Sequence, residues 1–237
     1  MLTVKNLSVS VADKPIIKNF SYDFEQDKVY VVMGPNGSGK STLAYSLMGH
    51  PSYTIKEKSK IVLNKTNLVD LEADKRSEAG IFLSFQSPLS LSGVTVQQLL
   101  LTALSGKIDP LTLRQKTRKL AEELKIPEEL LKRSLNEGAS GGEKKKLEVL
   151  QGAVLDKEVQ IYDEVDTGVD VDALRTIATF LHRHKAGKTY IIITHYNRIL
   201  KYLKPDHVLV LVNGSLVKEG DYELAKQIEK KGYSDLS

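Results

Sequence analysis

Apolar and polar residues alternate from Met1 to Val11, the period of a strand with one buried face. Phe20–Phe24 continues that alternation, so the two segments are expected to pair antiparallel across a connection containing Pro15. Val29–Met33 is different. Five apolar residues run without a break, the pattern of a central strand covered on both faces. Ile61–Leu63 and Ile81–Leu83 read as further short strands. From Thr95 to Leu135 the spacing turns helical, through Leu99, Leu100 and Leu104, then Leu113, Leu120 and Leu124, then Leu130, Leu131 and Leu135. Pro110 and Pro127 punctuate that stretch. Strand–helix alternation then resumes. Helix Glu143–Leu155 precedes strand Val159–Tyr162, and helix Val171–His184 precedes strand Thr189–Ile193. A strand pair around Asn213-Gly214 leads into a C-terminal helix. The expected fold is α/β, with a mostly parallel core sheet, an N-terminal antiparallel β region and an inserted helical subdomain. Residues 1–237 are read as one domain, the helical subdomain spanning about 88–150.

The apolar run Val29–Met33 ends in Gly34-Pro35-Asn36-Gly37-Ser38-Gly39-Lys40-Ser41-Thr42, and helical spacing follows over Leu43–Met48. This is the G-x-x-x-x-G-K-[ST] loop in its strand–loop–helix setting. Its glycines let successive backbone N–H groups converge on one anion, and the helix start adds its unsatisfied donors. Lys40 can reach the β- and γ-phosphates, and the Ser41 hydroxyl can ligate Mg²⁺. The chain is therefore expected to bind a nucleoside triphosphate.

Composition narrows the alternatives. With 41% hydrophobic and 27% charged residues, the chain is an ordinary globular one, and its longest apolar runs are strand-sized, far short of a membrane span. No N-terminal leader is expected, because Met1–Val11 already reads as a strand, so the expected compartment is the cytoplasm. The net charge of +4 is mild and its lysines are dispersed, which gives no basic footprint for nucleic acid. There is no cysteine, so a disulfide framework and thiolate ligation of zinc or an iron–sulfur cluster by this chain are excluded. His182 and His184, beside Arg183 and Lys185, are expected to be solvated at a helix end.

Three further features carry chemistry. Strand Val159–Tyr162 runs into Asp163 and Glu164. An Asp at a strand end beside a phosphate loop can hold Mg²⁺, and the next acid can orient or deprotonate a water attacking the γ-phosphate. Ser140-Gly141-Gly142-Glu143 has the S-x-x-E spacing of a helix capping box, and its two glycines also open a helix start to close approach by a phosphate. Because Gly34–Thr42 already cradles phosphates from within the chain, a second such start is most useful to another molecule's nucleotide. Gln86 follows a strand where an amide could touch Mg²⁺ and the γ-phosphate, and His195 ends a strand where an imidazole could meet the γ-phosphate or the attacking water.

The order of these features, from the phosphate loop through Gln86, Ser140–Glu143, Asp163-Glu164 and Asp170 to His195, resembles the nucleotide-binding domain of the ATP-binding-cassette (ABC) ATPases over essentially the whole chain. The resemblance implies that Gly34–Thr42 is Walker A, Gln86 the Q-loop, Ser140–Glu143 the signature, Asp163 and Glu164 Walker B, Thr167–Asp170 the D-loop and His195 the switch histidine. It implies Mg²⁺ at Ser41, Gln86 and Asp163, and ATP sandwiched between Walker A of one copy and the signature of another in a transient ATP-dependent homodimer. Val11 stands where the family often has an aromatic residue for the adenine.

Within the family, Glu164-Val165-Asp166-Thr167-Gly168-Val169-Asp170, Gly142-Glu143-Lys144-Lys145-Lys146 and Thr194-His195-Tyr196-Asn197 are similar to the SufC-type ATPases of the SUF iron–sulfur cluster assembly system. That branch implies SufB- and SufD-like scaffold partners, met through the Gln86–Gly93 loop and the helices after it, and no direct membrane insertion. An ATPase subunit docked on a membrane transporter is the rival within the family. Lys144–Lys146 are expected to be a solvated face. The sharper expectation is that one of them pairs with Glu164 in the resting monomer and restrains basal hydrolysis.

Overall fold

The computed structural model describes residues 1–195 and 198–233; Tyr196 and Asn197, part of the branch resemblance, lie outside the described residues. Strands β1 (Leu2–Val11) and β2 (Lys14–Phe24) form a hairpin, followed by β3 (Lys28–Met33), the phosphate loop and α1 (Lys40–Met48). Short strands β4 (Thr54–Ile55), β5 (Lys60–Leu63) and β6 (Thr66–Asn67) precede α2 (Ala73–Ala79) and β7 (Ile81–Ser84). Next come β8 (Leu91–Thr95), α3 (Val96–Ala103), α4 (Pro110–Glu123), α5 (Glu128–Lys132), β9 (Ser134–Leu135) and the long α6 (Gly141–Leu155). The chain closes with β10 (Val159–Asp163), α7 (Val171–Arg183), β11 (Thr189–Ile193), a 3₁₀ turn (Ile199–Lys201), β12 (His207–Val212), β13 (Ser215–Gly220) and α8 (Tyr222–Lys231).

The core sheet has the order β13-β12-β3-β11-β10-β7 and is parallel except for the β12–β13 hairpin. The unbroken apolar runs follow from burial on both faces. Val29, Val31 and Met33 of β3, with Tyr190 and Ile192 of β11, pack on the side of α6 and α7. Tyr30 and Val32, with Ile191 and Ile193, pack on the other side with α1 and the N-terminal sheet. That second sheet is antiparallel, in the order β2-β1-β5-β6, with β4 also paired to β1.

Two expectations about elements change. Pro15 is not in the β1–β2 connection but inside β2, opposite Ser10, while Ala12 and Asp13 make the turn at positive φ. β2 is a sheet edge, where a residue without an N–H is tolerated. Leu135 is not helical; it pairs with Leu91 in the small β8–β9 sheet. The helices have local reasons to start where they do. Thr95 and Gln98 form a capping box on α3, Asp109 caps α4 with Pro110 behind it, and Asp170 caps α7 through the Ala173 N–H.

Candidate functional site

The parallel strands β3, β11 and β10 deliver their C-terminal ends to one edge of the sheet, so the phosphate loop, His195 and the pair Asp163-Glu164 emerge side by side. A cleft of about 660 Å³ results, lined by Asn36, Gly37, Gly39–Thr42, Gln86, Glu164 and His195. Gly34 sits at the base of the loop, where a Cβ would stand 2.1 Å from the Leu211 carbonyl oxygen. Only glycine allows this close approach between the loop and β12. The Gly34 N–H donates to the Tyr233 hydroxyl at 3.1 Å, tying the loop to the end of α8.

Lys40 is buried and curls back on its own loop, donating to the carbonyls of Gly34 at 2.8 Å and Pro35 at 3.0 Å. Burial pushes its ammonium down to about 8, against the pull of Asp163 and Glu164. Asp163 is fully buried, and neither carboxylate oxygen has a hydrogen-bond partner. Burial raises its pKa, Glu164 adds to the rise, and Ser41, Lys145 and Lys40 oppose it. A buried, orphaned carboxylate beside a serine hydroxyl at a phosphate loop suits a hard divalent cation. Among the described residues no group of three or more His, Cys, Asp or Glu side chains could hold a metal. Mg²⁺ needs no such cluster, because it is held by one or two carboxylates and completes its shell with other oxygens, phosphate and water.

Glu164 leaves β10 with φ 52°, a left-handed conformation that costs a non-glycine residue about 1–2 kcal/mol. Its N–H is satisfied by the Ile193 carbonyl at 2.9 Å, and its carboxylate lies 3.2 Å from His195 Nε2 and accepts from the Thr167 hydroxyl at 3.3 Å. Burial and the nearby Lys40 charge lower the His195 pKa, outweighing Glu164 and the Gly34 backbone. This shift favours the neutral imidazole.

Ser140–Glu143 does not line this cleft. It forms the expected capping box at the start of α6: the Glu143 N–H donates to Ser140 Oγ at 3.3 Å, and the Ser140 N–H donates to Glu143 Oε2 at 2.8 Å. Gly141 presses on the loop after Glu164, where a Cβ would lie 2.6 Å from the Gly168 carbonyl. Asp170 lies with this group, beside Gly142, rather than in the cleft. The expected site residues thus fall into two sets.

The lysine expectation is overturned. Lys145 is buried, pairs with Glu148 at 3.1 Å and donates to the Phe85 and Gln86 carbonyls at 3.1 Å each, while Glu148 accepts the Phe85 N–H at 3.1 Å. Lys146 reaches the Lys125 carbonyl at 3.5 Å, and Glu164 turns instead to His195. Lys145 lies on the buried side of α6, facing the Phe85–Gln86 segment that follows β7, so it clasps that backbone. His184, expected in solvent, is half-buried and lies 2.8 Å from Glu123. Sequence reasoning also missed Ile16 on the cleft wall, Tyr233 under Gly34, and a buried Asp166 on Thr194. Only Asp166 had a sequence signal, as a third acid two residues past Glu164.

A parallel sheet that gathers a phosphate loop, two strand-end acids and a histidine, and holds a second phosphate-type helix start apart from them, defines an ATP-hydrolysing nucleotide-binding cassette. The family model described as ABC transporter matches residues 17–167. The probable ATP-dependent transporter SufC of Escherichia coli (strain K12) is 43% identical over 100% of this chain and 99% of its own length. A nucleotide-free ATP-binding cassette from an ABC transporter superposes with a TM-score of 0.81 at 25% identity, covering 100% of this chain and 96% of that one. A dimeric ATP-binding cassette bound to ADP and Pi shares the fold, with a TM-score of 0.78 at 17% identity over 93% of this chain and 98% of that one. The chain belongs to the ABC ATPase family, in its SufC-type branch. No helix among the described residues is long and apolar enough to cross a membrane.

Proposed function

We propose that this chain is the cytoplasmic ATPase of a SUF-type iron–sulfur cluster assembly machine, which dimerises on Mg·ATP and uses hydrolysis to drive shape change in SufB- and SufD-like scaffold partners. The observation that carries the dimer is the separation of Ser140–Glu143 from the cleft of its own phosphate loop. A helix start with open glycines, unused by the nucleotide of its own chain, is matched to the nucleotide of a second copy. The dimeric fold relative bound to ADP and Pi supports that reading, and the likeness to SufC supports the assembly role. A chain without cysteine suits the part of motor, with cluster ligands left to its partners.

In this reading ATP lies along the phosphate loop, Gly34–Thr42, and draws the Lys40 ammonium off the Gly34 and Pro35 carbonyls onto the β- and γ-phosphates. Ser41, Asp163 and Gln86 would hold Mg²⁺, which would supply neutralisation of the phosphate charge. Glu164 accepts the proton of the attacking water, and His195, 3.2 Å from that carboxylate, fixes its orientation and faces the γ-phosphate. Closing the second copy's Ser140–Glu143 over the same phosphates excludes water and completes the site. ATP can do work on the partners only through its greater affinity for the closed pair.

The test is Glu164→Gln. Phosphate release should fall by roughly 100-fold or more, the scale of losing a general base, while ATP stays bound. Undiminished release overturns the hydrolytic assignment. For the assembly role, the chain should bind a purified SufB/SufD-like pair and hydrolyse ATP faster in its presence. Recovery of a polytopic membrane protein instead overturns that role.

A further inference from the structure

The loop after β10 meets the described residues at the end of β11, Thr194 and His195, and a buried acid joins them. Asp166 is 1% exposed, and both its carboxylate oxygens lie within hydrogen-bond distance of Thr194 Oγ1, at 2.9 and 2.8 Å. Thr194 is itself fully buried and is the residue before His195. Above this contact Glu164 N–H donates to Ile193 O, and below it Arg198 Nη2 donates to the Val169 carbonyl at 3.1 Å. Asp166 does not line the nucleotide cleft. Burying a carboxylate is costly, and burial raises the pKa of this one, opposed by Thr194. A carboxylate only accepts, so it commits the Thr194 proton in one direction and fixes the backbone from which the imidazole hangs.

We infer that Asp166 is a positioning residue: by binding the Thr194 hydroxyl it locks the end of β11 to the loop that carries Glu164, and so holds His195 in register with that carboxylate. The inference rests on the hydrolytic roles proposed above for Glu164 and His195. Small displacements of such groups have large kinetic effects. Asp166→Ala and Thr194→Val should each lower kcat by roughly 10–100-fold, the penalty of a displaced catalytic group, while the Kd for ATP stays within about 2-fold. Asp166→Asn and Thr194→Ser, which keep an acceptor and a hydroxyl, should recover most of the rate. In a His195→Ala background Asp166→Ala should cost nothing further, because the residue acts through the imidazole.

The experiment is single-turnover hydrolysis with parallel ATP binding on these variants of the full chain. Unchanged kcat in Asp166→Ala overturns the inference. So does a Kd that weakens in step with kcat, failure of the conservative variants to rescue, or an additive loss on top of His195→Ala. If Asp166→Ala does not fold, Thr194→Val carries the same test. Failure of the underlying reading is separable: Glu164→Gln would then hydrolyse normally, whereas an inactive Glu164→Gln beside a fully active Asp166→Ala sinks only this inference.

Discussion

Asp163→Asn should stabilise the protein while weakening its response to Mg·ATP. The carboxylate is fully buried, neither oxygen has a hydrogen-bond partner, and Glu164 stands next to it with its own charge. An unsatisfied buried polar group costs about 1–3 kcal/mol, and a charged one more. The amide removes the charge but brings an N–H₂ that also needs an acceptor, so the net gain should be about 1–2 kcal/mol. For a chain of this size, that is a rise in Tm of roughly 2–8 °C. The pH dependence has a definite sign. Burial raises the Asp163 pKa, so the native state neutralises it more readily than the unfolded chain does. The advantage of Asn is therefore full at neutral pH, fades as pH falls through the raised native pKa, and is gone below the unfolded value of 3.8. Ligand inverts the order. At 100 times Kd, Mg·ATP stabilises the wild type by about 2.7 kcal/mol, and the variant, lacking a cation ligand, should gain far less. Thermal melts of both proteins with and without Mg·ATP, at pH 7.5 and pH 4.5, test this. A variant that melts below wild type without nucleotide, or gains as much from Mg·ATP, would rule out a destabilising, cation-binding Asp163.

Other perturbations have equally definite signs. Gly141→Ala sets a Cβ 2.6 Å from the Gly168 carbonyl, a backbone atom that cannot swing aside, and should cost about 1–3 kcal/mol in urea unfolding. Lys145→Met strands Glu148 as a buried unpaired charge and should cost about 3–5 kcal/mol in the same assay, whereas Lys145→Met with Glu148→Leu should recover most of that loss. The lowered His195 pKa means the native state binds fewer protons there than the unfolded chain as pH falls below the unfolded value of 6.5. Stability should therefore decline on acidification through that range, and His195→Gln should flatten this part of the slope in melts from pH 8 to pH 5.

What could be read from the chain and what could not divides along a physical line. Val29–Met33, with Gly34–Thr42 behind it, was legible because a strand buried on both faces and a phosphate loop each leave a local, contiguous signature. The capping box at Ser140 was legible for the same reason, since its two bonds span three residues. Pro15 misled, because a proline at a sheet edge and one in a turn look alike until the strand order is known. The partner of Lys145 could not be read at all. Helical period says that it is one turn into α6, but the choice of Glu148 and the Phe85–Gln86 carbonyls over Glu164 depends on which side of α6 the end of β7 lies. Asp166 and Thr194 stand 28 residues apart and meet only because β10 and β11 are parallel neighbours. Likewise, Tyr233 reaches Gly34 only because α8 packs back on the core.

If each ATP is enclosed by the phosphate loop of one copy and Ser140–Glu143 of another, two variants that are inactive alone should complement each other when mixed. Lys40→Ala disables a chain's own loop, and Ser140→Arg disables the helix start it offers to its partner, so each alone should lack ATPase activity. In an equimolar mixture about half the dimers pair the two variants, and each such dimer has one intact composite site. The mixture should recover about a quarter of the wild-type rate. A mixture as inactive as its two components would contradict a shared site.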